Sequence, residues 1–194
     1  MLVVAIVGPT ASGKSALAVE VALRCNGEIV NTDSMQVYSG MDIGTAKPLE
    51  SEWQGVPHHL FSVWSPDHEL TVAEFQAAAR GAIREVSGRG AIPIAVGGSG
   101  LYVAAVLDDL RFPGTDPVVR EAIELDLASL GSAALHERLA AVDPTAAAAI
   151  LPSNGRRIVR ALEVIAITGE PFIATLPAPV EIFPTVRIGL GLAR

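Results

Sequence analysis

Hydrophobic positions along the chain fall into short unbroken runs and longer helical stripes. Leu2–Val7 is an apolar run of strand length that ends at Gly8, and it reads as a buried strand. Leu17 and Val21, with Ala18 and Ala22, then recur on one face of a helix. Glu28–Asn31 and Ile92–Val96 are two further short strands, and Pro93 fits a strand beginning better than a strand centre. Between them, Thr71–Ser87 has helical period. Glu74 stands three residues after Thr71, the spacing of a capping box. Gly88-Arg89-Gly90 closes that helix, and Leu101 to about Leu107 forms the next. Strands alternating with helices predict a parallel sheet with helices on its faces.

The pattern changes at Phe112-Pro113-Gly114-Thr115-Asp116-Pro117. From there to Thr168 it is wholly helical, in four pieces: Val118–Leu130, Ala133–Ala141, Pro144–Ile150 and Asn154–Thr168. Gly131 and Gly169 act as stops, and Asp143 caps a helix that begins at Pro144. Pro171–Pro184 carries four prolines and reads as a linker, and Thr185–Leu190 as a strand returning to the sheet. The predicted fold is thus α/β: a P-loop NTPase-like parallel sheet flanked by helices, with a small all-helical insertion. The expected divisions are a core over 1–112, an insertion over 113–170, and a linker with return strand over 171–194.

Composition narrows the class. Half of the 194 residues are hydrophobic and 18% are charged, which excludes a disordered chain. A net charge of −7 argues against nucleic-acid binding over the whole surface and leaves room for a local basic patch. The single cysteine, Cys25, permits no internal disulfide and suits a reducing compartment. No segment approaches the ~20 apolar residues that cross a bilayer. The expectation is a cytoplasmic protein without membrane contact.

The first chemistry-bearing motif is Gly8-Pro9-Thr10-Ala11-Ser12-Gly13-Lys14-Ser15. Glycine, four residues, then Gly-Lys-Ser, set between a strand and a helix, is the phosphate-loop pattern. Backbone N–H groups and the helix start would surround a phosphate. Lys14 would reach its outer oxygens, and Ser15 would ligate Mg²⁺. Alone, the loop suggests ATP. Asp33 follows the second strand, so it faces the crevice that Gly8 faces. Three roles are open to it: Mg²⁺ ligand, general base, or the N-cap of a helix through Met35-Gln36-Val37-Tyr38. The strand Ile92–Val96 runs into Gly97-Gly98-Ser99-Gly100 and does not end in aspartate. That speaks against a motor or signalling NTPase, which carries a Walker-B carboxylate there. Adjacent His58 and His59 point to opposite faces of a strand, so a structural role is expected of them and not a metal. Lys47 is either a phosphate contact or a solvated lysine. Arg157 and Arg156 stand three and four residues from Arg160, a cluster that suits either a phosphate backbone or open solvent.

Five stretches together resemble the tRNA dimethylallyltransferases, also called tRNA isopentenyltransferases, of bacterial type. They are Gly8–Ser15, Asp33-Ser34-Met35-Gln36-Val37-Tyr38 with Gly40–Pro48, Pro57-His58-His59-Leu60, Val96–Tyr102, and Arg156–Val164. The resemblance covers nearly the whole chain, and Gly40–Pro48 is its most specific part. It implies transfer of a dimethylallyl group from its diphosphate to the exocyclic amine of the adenosine 3′ to the anticodon. It implies that Gly8, Pro9, Thr10, Ala11, Ser12, Gly13, Lys14 and Ser15 hold the diphosphate with Mg²⁺ at Ser15. It implies that Asp33 is the base, that Ser99 contacts substrate, and that Arg194 approaches the diphosphate. Asp33, Ser34, Met35, Gln36, Ser99, Arg120, Arg156, Arg157, Ile158, Val159 and Arg160 would meet the tRNA anticodon stem-loop. The implied protein is a monomer. Members of the family continue beyond the point matched by Arg194, so a truncated chain that binds without turning over stays open. So do a P-loop small-molecule or nucleoside kinase and a prenyltransferase acting on free adenine nucleotides.

Overall fold

A computed structural model describes residues 1–191. The chain divides into two compact units, one of Met1–Arg111 with the segment from Pro179 onward, the other of Phe112–Ala178.

The first unit is built on five parallel strands: β1 (Val3–Val7), β2 (Gly27–Asn31), β3 (His58–His59), β4 (Ile92–Gly97) and β5 (Thr185–Gly189). Their order is β3-β2-β4-β1-β5. Helix α1 (Lys14–Cys25) packs Ala18, Val19 and Ala22 against Ile6, Ile29 and Ile94 on one face. Helices α2 (Val72–Gly88) and α3 (Gly100–Leu107) cover Val3, Ala5, Val30 and Ala95 on the other. Alternate residues of each strand thus serve alternate layers, which explains why the strands read as unbroken apolar runs. The capping box opens α2 as its spacing predicts: Glu74 N donates to Thr71 Oγ1, and Thr71 N to the Glu74 carboxylate. The last turn of α3 is held by Arg80, whose guanidinium donates to the carbonyls of Ala105, Val106 and Asp108.

β3 is only two residues long. His58 Nδ1 pairs with the Val56 carbonyl and the ring stacks on Trp53 at 4.3 Å. His59 Nε2 lies 2.6 Å from the Glu28 carboxylate, which Arg89 also holds. Both rings are therefore engaged in packing and hydrogen bonding on opposite faces of the strand. Lys47 takes neither of its two expected roles. Its ammonium is nearly buried and donates to the Tyr38 carbonyl (2.6 Å), Asp42 (2.7 Å) and Ser62 Oγ (2.8 Å). It is the brace of the Gly40–Pro48 loop.

The helical unit contains α4 (Pro117–Val142), α5 (Pro144–Ala149) and α6 (Gly155–Thr168). Gly131 leaves helical geometry at φ 81°, so α4 is two helical pieces meeting where a stop was expected. Ile123, Leu135, Leu139, Ala147, Ile150, Ile158 and Leu162 form its core. Glu163 is fully buried within this unit. Its carboxylate takes Arg120 at 2.7 Å and Arg160 at 2.8 Å. The expected linker does not begin at 171. Phe172 N donates to Asp143 and Arg157 to the Ala174 carbonyl, so residues through 178 belong to the helical unit. Among the described residues no helix is long and apolar enough to cross a membrane.

Candidate active site

The phosphate loop takes its shape from two residues with left-handed backbone, Ala11 (φ 62°) and Gly13 (φ 83°). Gly13 stands at the N-cap of α1, where glycine adopts this geometry without strain. No side chain caps α1, and no acidic residue sits in its first turn. The helices α2, α4, α5 and α6 all start with a side-chain cap. Among the described α-helices, α1 and α3 do not, and both begin at the carboxyl ends of central strands. Their first N–H groups stay free to meet an anion.

Lys14 Nζ donates to the Pro9 carbonyl at 2.6 Å, which folds the side chain back along the loop. Partial burial pulls its pKa below the usual lysine value, and the charge of Asp33 opposes that pull. Lys14 and Asp33 therefore share one electrostatic environment. The turn after β4 closes on the same place. A side chain at Gly98 would come 2.8 Å from the Gly8 carbonyl and 3.6 Å from Lys14 Nζ, so only glycine lets the two loops meet. At Gly97 a side chain would clash with Thr32, one residue before Asp33.

Asp33 is set by Asn31, a buried residue that the sequence reading passed over. Asn31 Oδ1 accepts from Asp33 N at 2.8 Å, and its amide donates to the Leu60 carbonyl. Asp33 Oδ1 in turn accepts from Met35 N (2.9 Å) and Gln36 N (3.4 Å). No helix forms after Asp33: the segment is a turn, and Asp33 caps it with one of its two carboxylate oxygens. Ser34 Oγ lies 3.3 Å from Ser99 Oγ. Thr10, Asp33, Ser34, Met35 and Ser99, with the loop Gly40–Thr45, line one cavity of about 670 Å³. Asp33 in the cavity wall and Ser15 in the first turn of α1 both carry oxygen groups of the kind a hard cation takes. Among the described residues no cluster of three His, Cys, Asp or Glu forms.

The basic cluster is divided by the packing. Arg156 and Arg157 are exposed. Arg160 is turned inward to Glu163 and to the carbonyls of Pro113 and Gly114. Arg120 is bound to the same carboxylate. Ile158 and Val159 are buried in the core of the helical unit. Their expected side-chain contact with RNA is corrected here: packing leaves them no surface to offer, and they serve to turn Arg156 and Arg157 outward. Arg194, expected near the diphosphate, lies outside the described residues.

Residues 36–194 match the family model described as IPP transferase. A tRNA dimethylallyltransferase of Salinispora tropica is 57% identical over 98% of this chain and 60% of its own length. One from Frankia casuarinae is 61% identical over 96% of this chain and 64% of its own. The chain thus spans about three-fifths of the length of these curated relatives. The crystal structure of a eukaryotic dimethylallyltransferase acting on tRNA is similar with a TM-score of 0.78 and 28% identity, covering 97% of this chain and 48% of that one.

Proposed function

Since the chain belongs to the IPP transferase family, we propose that it transfers a dimethylallyl group from dimethylallyl diphosphate to the exocyclic amine of the adenosine 3′ to the anticodon of tRNA. One observation carries the reading: Thr10 of the phosphate loop, Asp33 and Ser99 line one cavity. The allylic C–O bond breaks and the diphosphate leaves with the electron pair. The adenine nitrogen forms the new C–N bond and gives up a proton. Lys14 and the free N–H groups of α1 take up the negative charge that grows on the leaving group. Asp33 accepts the proton through the carboxylate oxygen that does not cap the turn. Mg²⁺ at Ser15, when bound, supplies further neutralisation of the diphosphate. Ser34 and Ser99 offer hydroxyls to the base. Arg156 and Arg157, with the Arg120–Glu163–Arg160 group behind them, meet the phosphates of the anticodon stem-loop. The protein acts as a monomer in the cytoplasm, where its RNA substrate is found.

Transfer of labelled dimethylallyl to an anticodon stem-loop, with Mg²⁺, tests the reading directly. Dimethylallyl diphosphate should also raise the melting temperature more than ATP does. Lys14→Ala should weaken dimethylallyl diphosphate binding by roughly 10- to 100-fold in calorimetry, the loss of one charge-assisted contact. A larger shift with ATP would favour a kinase over a prenyltransferase, and a Lys14→Ala variant of unchanged affinity would count against the phosphate loop as the diphosphate site. For the RNA side, Arg156→Ala with Arg157→Ala should flatten the salt dependence of stem-loop binding by about 0.7 to 0.9 in log–log slope per lost phosphate contact. An unchanged slope would return both arginines to plain solvent.

A further inference from the structure

Ile43 is 99% exposed. A lone apolar side chain in water is ordinary on a protein surface. Two features set this one apart. The first is its support. Thr45 Oγ1 donates to the Met41 carbonyl at 2.6 Å, and the Gln36 amide donates to the carbonyls of Thr45 (3.0 Å) and Ala46 (3.3 Å). Ala46 N donates to the Ile43 carbonyl itself. The buried Lys47 ammonium ties the loop to Tyr38 and Ser62. Such bracing keeps Ile43 from folding back onto apolar surface, so the fold gains nothing from this side chain. The second feature is its place. Ile43 stands on the rim of the cavity that holds Asp33 and Ser99, beside Met41 and the 43%-exposed Met35.

A side chain built to cover a five-carbon tail would be sunk among cavity walls. Ile43 stands in solvent, so its partner arrives from outside. We propose that Ile43, with Met41 beside it, is an apolar wedge that packs against the anticodon-loop bases flanking the acceptor adenosine. This rests on the tRNA reading above. An adenine drawn out of its stack leaves the faces of its neighbours without a partner. An aliphatic side chain inserted there restores contact on those faces and disfavours return of the base. The wedge is therefore a positioning residue: it holds the flipped base out and touches neither the reacting nitrogen nor the diphosphate.

The test uses an anticodon stem-loop with 2-aminopurine at the acceptor position, whose fluorescence rises on unstacking. The full chain should bind it and brighten it. Ile43→Ser should melt at the same temperature, because the side chain makes no packing contact. It should bind the stem-loop about tenfold more weakly, the loss of one buried aliphatic contact, with little brightening. Its affinity for dimethylallyl diphosphate should be unchanged. Leu23→Ser, an exposed apolar residue on α1, should behave as the parent chain does. Equal RNA affinity and brightening in the Ile43→Ser variant would overturn the wedge and leave the functional reading intact. Weaker dimethylallyl diphosphate binding with RNA binding intact would assign Ile43 to the prenyl tail and also overturn it. Failure of the unsubstituted chain to bind the stem-loop would overturn the functional reading, and the wedge with it.

Discussion

Asp33→Asn should give a folded chain that binds dimethylallyl diphosphate normally and turns over about a hundredfold more slowly, or worse. Asparagine keeps the Oδ1 that accepts from Met35 N and Gln36 N. The turn after β2 therefore survives, and Asn31 still holds the backbone at residue 33. What is lost is the carboxylate oxygen proposed to take the proton from the amine. The loss should fall on kcat, with KM for the diphosphate little changed, because the group acts mainly in the transition state. Steady-state transfer to the stem-loop reads both numbers. Unchanged turnover would reduce Asp33 to a cap.

Glu163→Ala should destabilise the helical unit by about 3 kcal/mol. Removing one partner of a buried ion pair strands the other. The value sits at the low end of that range because Arg120 and Arg160 keep part of their side chains in water. Urea unfolding followed by helical circular dichroism measures it, and a loss below about 1 kcal/mol would mean the arginines rehydrate freely. The pH dependence has a definite sign. Burial by itself would raise the Glu163 pKa. Hydrogen bonds from Arg160 and Arg120 outweigh it and hold the group below the ordinary carboxylate value. A depressed native pKa stabilises the fold above the unfolded value, near 4.3. That contribution is lost as pH falls through the native pKa. The unsubstituted chain should therefore lose stability more steeply below about pH 4.3 than Glu163→Gln does.

Much of this was legible in the residues because local rules and tertiary structure agreed. The phosphate loop, the capping box at Thr71 and the break at Gly131 all depend on neighbours within a few positions. The roles that stayed hidden depend on distant ones. Spacing could pair Glu163 with Arg160, three residues away, and the apolar residues on both sides hinted at burial. Nothing local joins it to Arg120, whose contact spans 43 positions. Lys47 looked like a surface lysine because its acceptors at Tyr38 and Ser62 converge only in the fold. Asn31 looked like the end of a strand, and its task emerges only where Leu60 comes alongside. β3 showed only in the alternation expected of His58 and His59, because two residues are too few to show a hydrophobic period.

The strand order also constrains how the chain is made. β1 precedes every other described element in the chain, yet its partners are β4 and β5. Val4 meets Ile94 only after α1, β2 and α2 have been made, and Val186 reaches it only after the whole helical unit. On a ribosome, Val3–Val7 therefore keeps both backbone edges open until β4 emerges, and one edge open until β5 does. Contacts of such long separation form slowly, and open apolar edges invite association. Slowed translation before residue 92 should therefore increase the demand for chaperones far more than slowed translation after it.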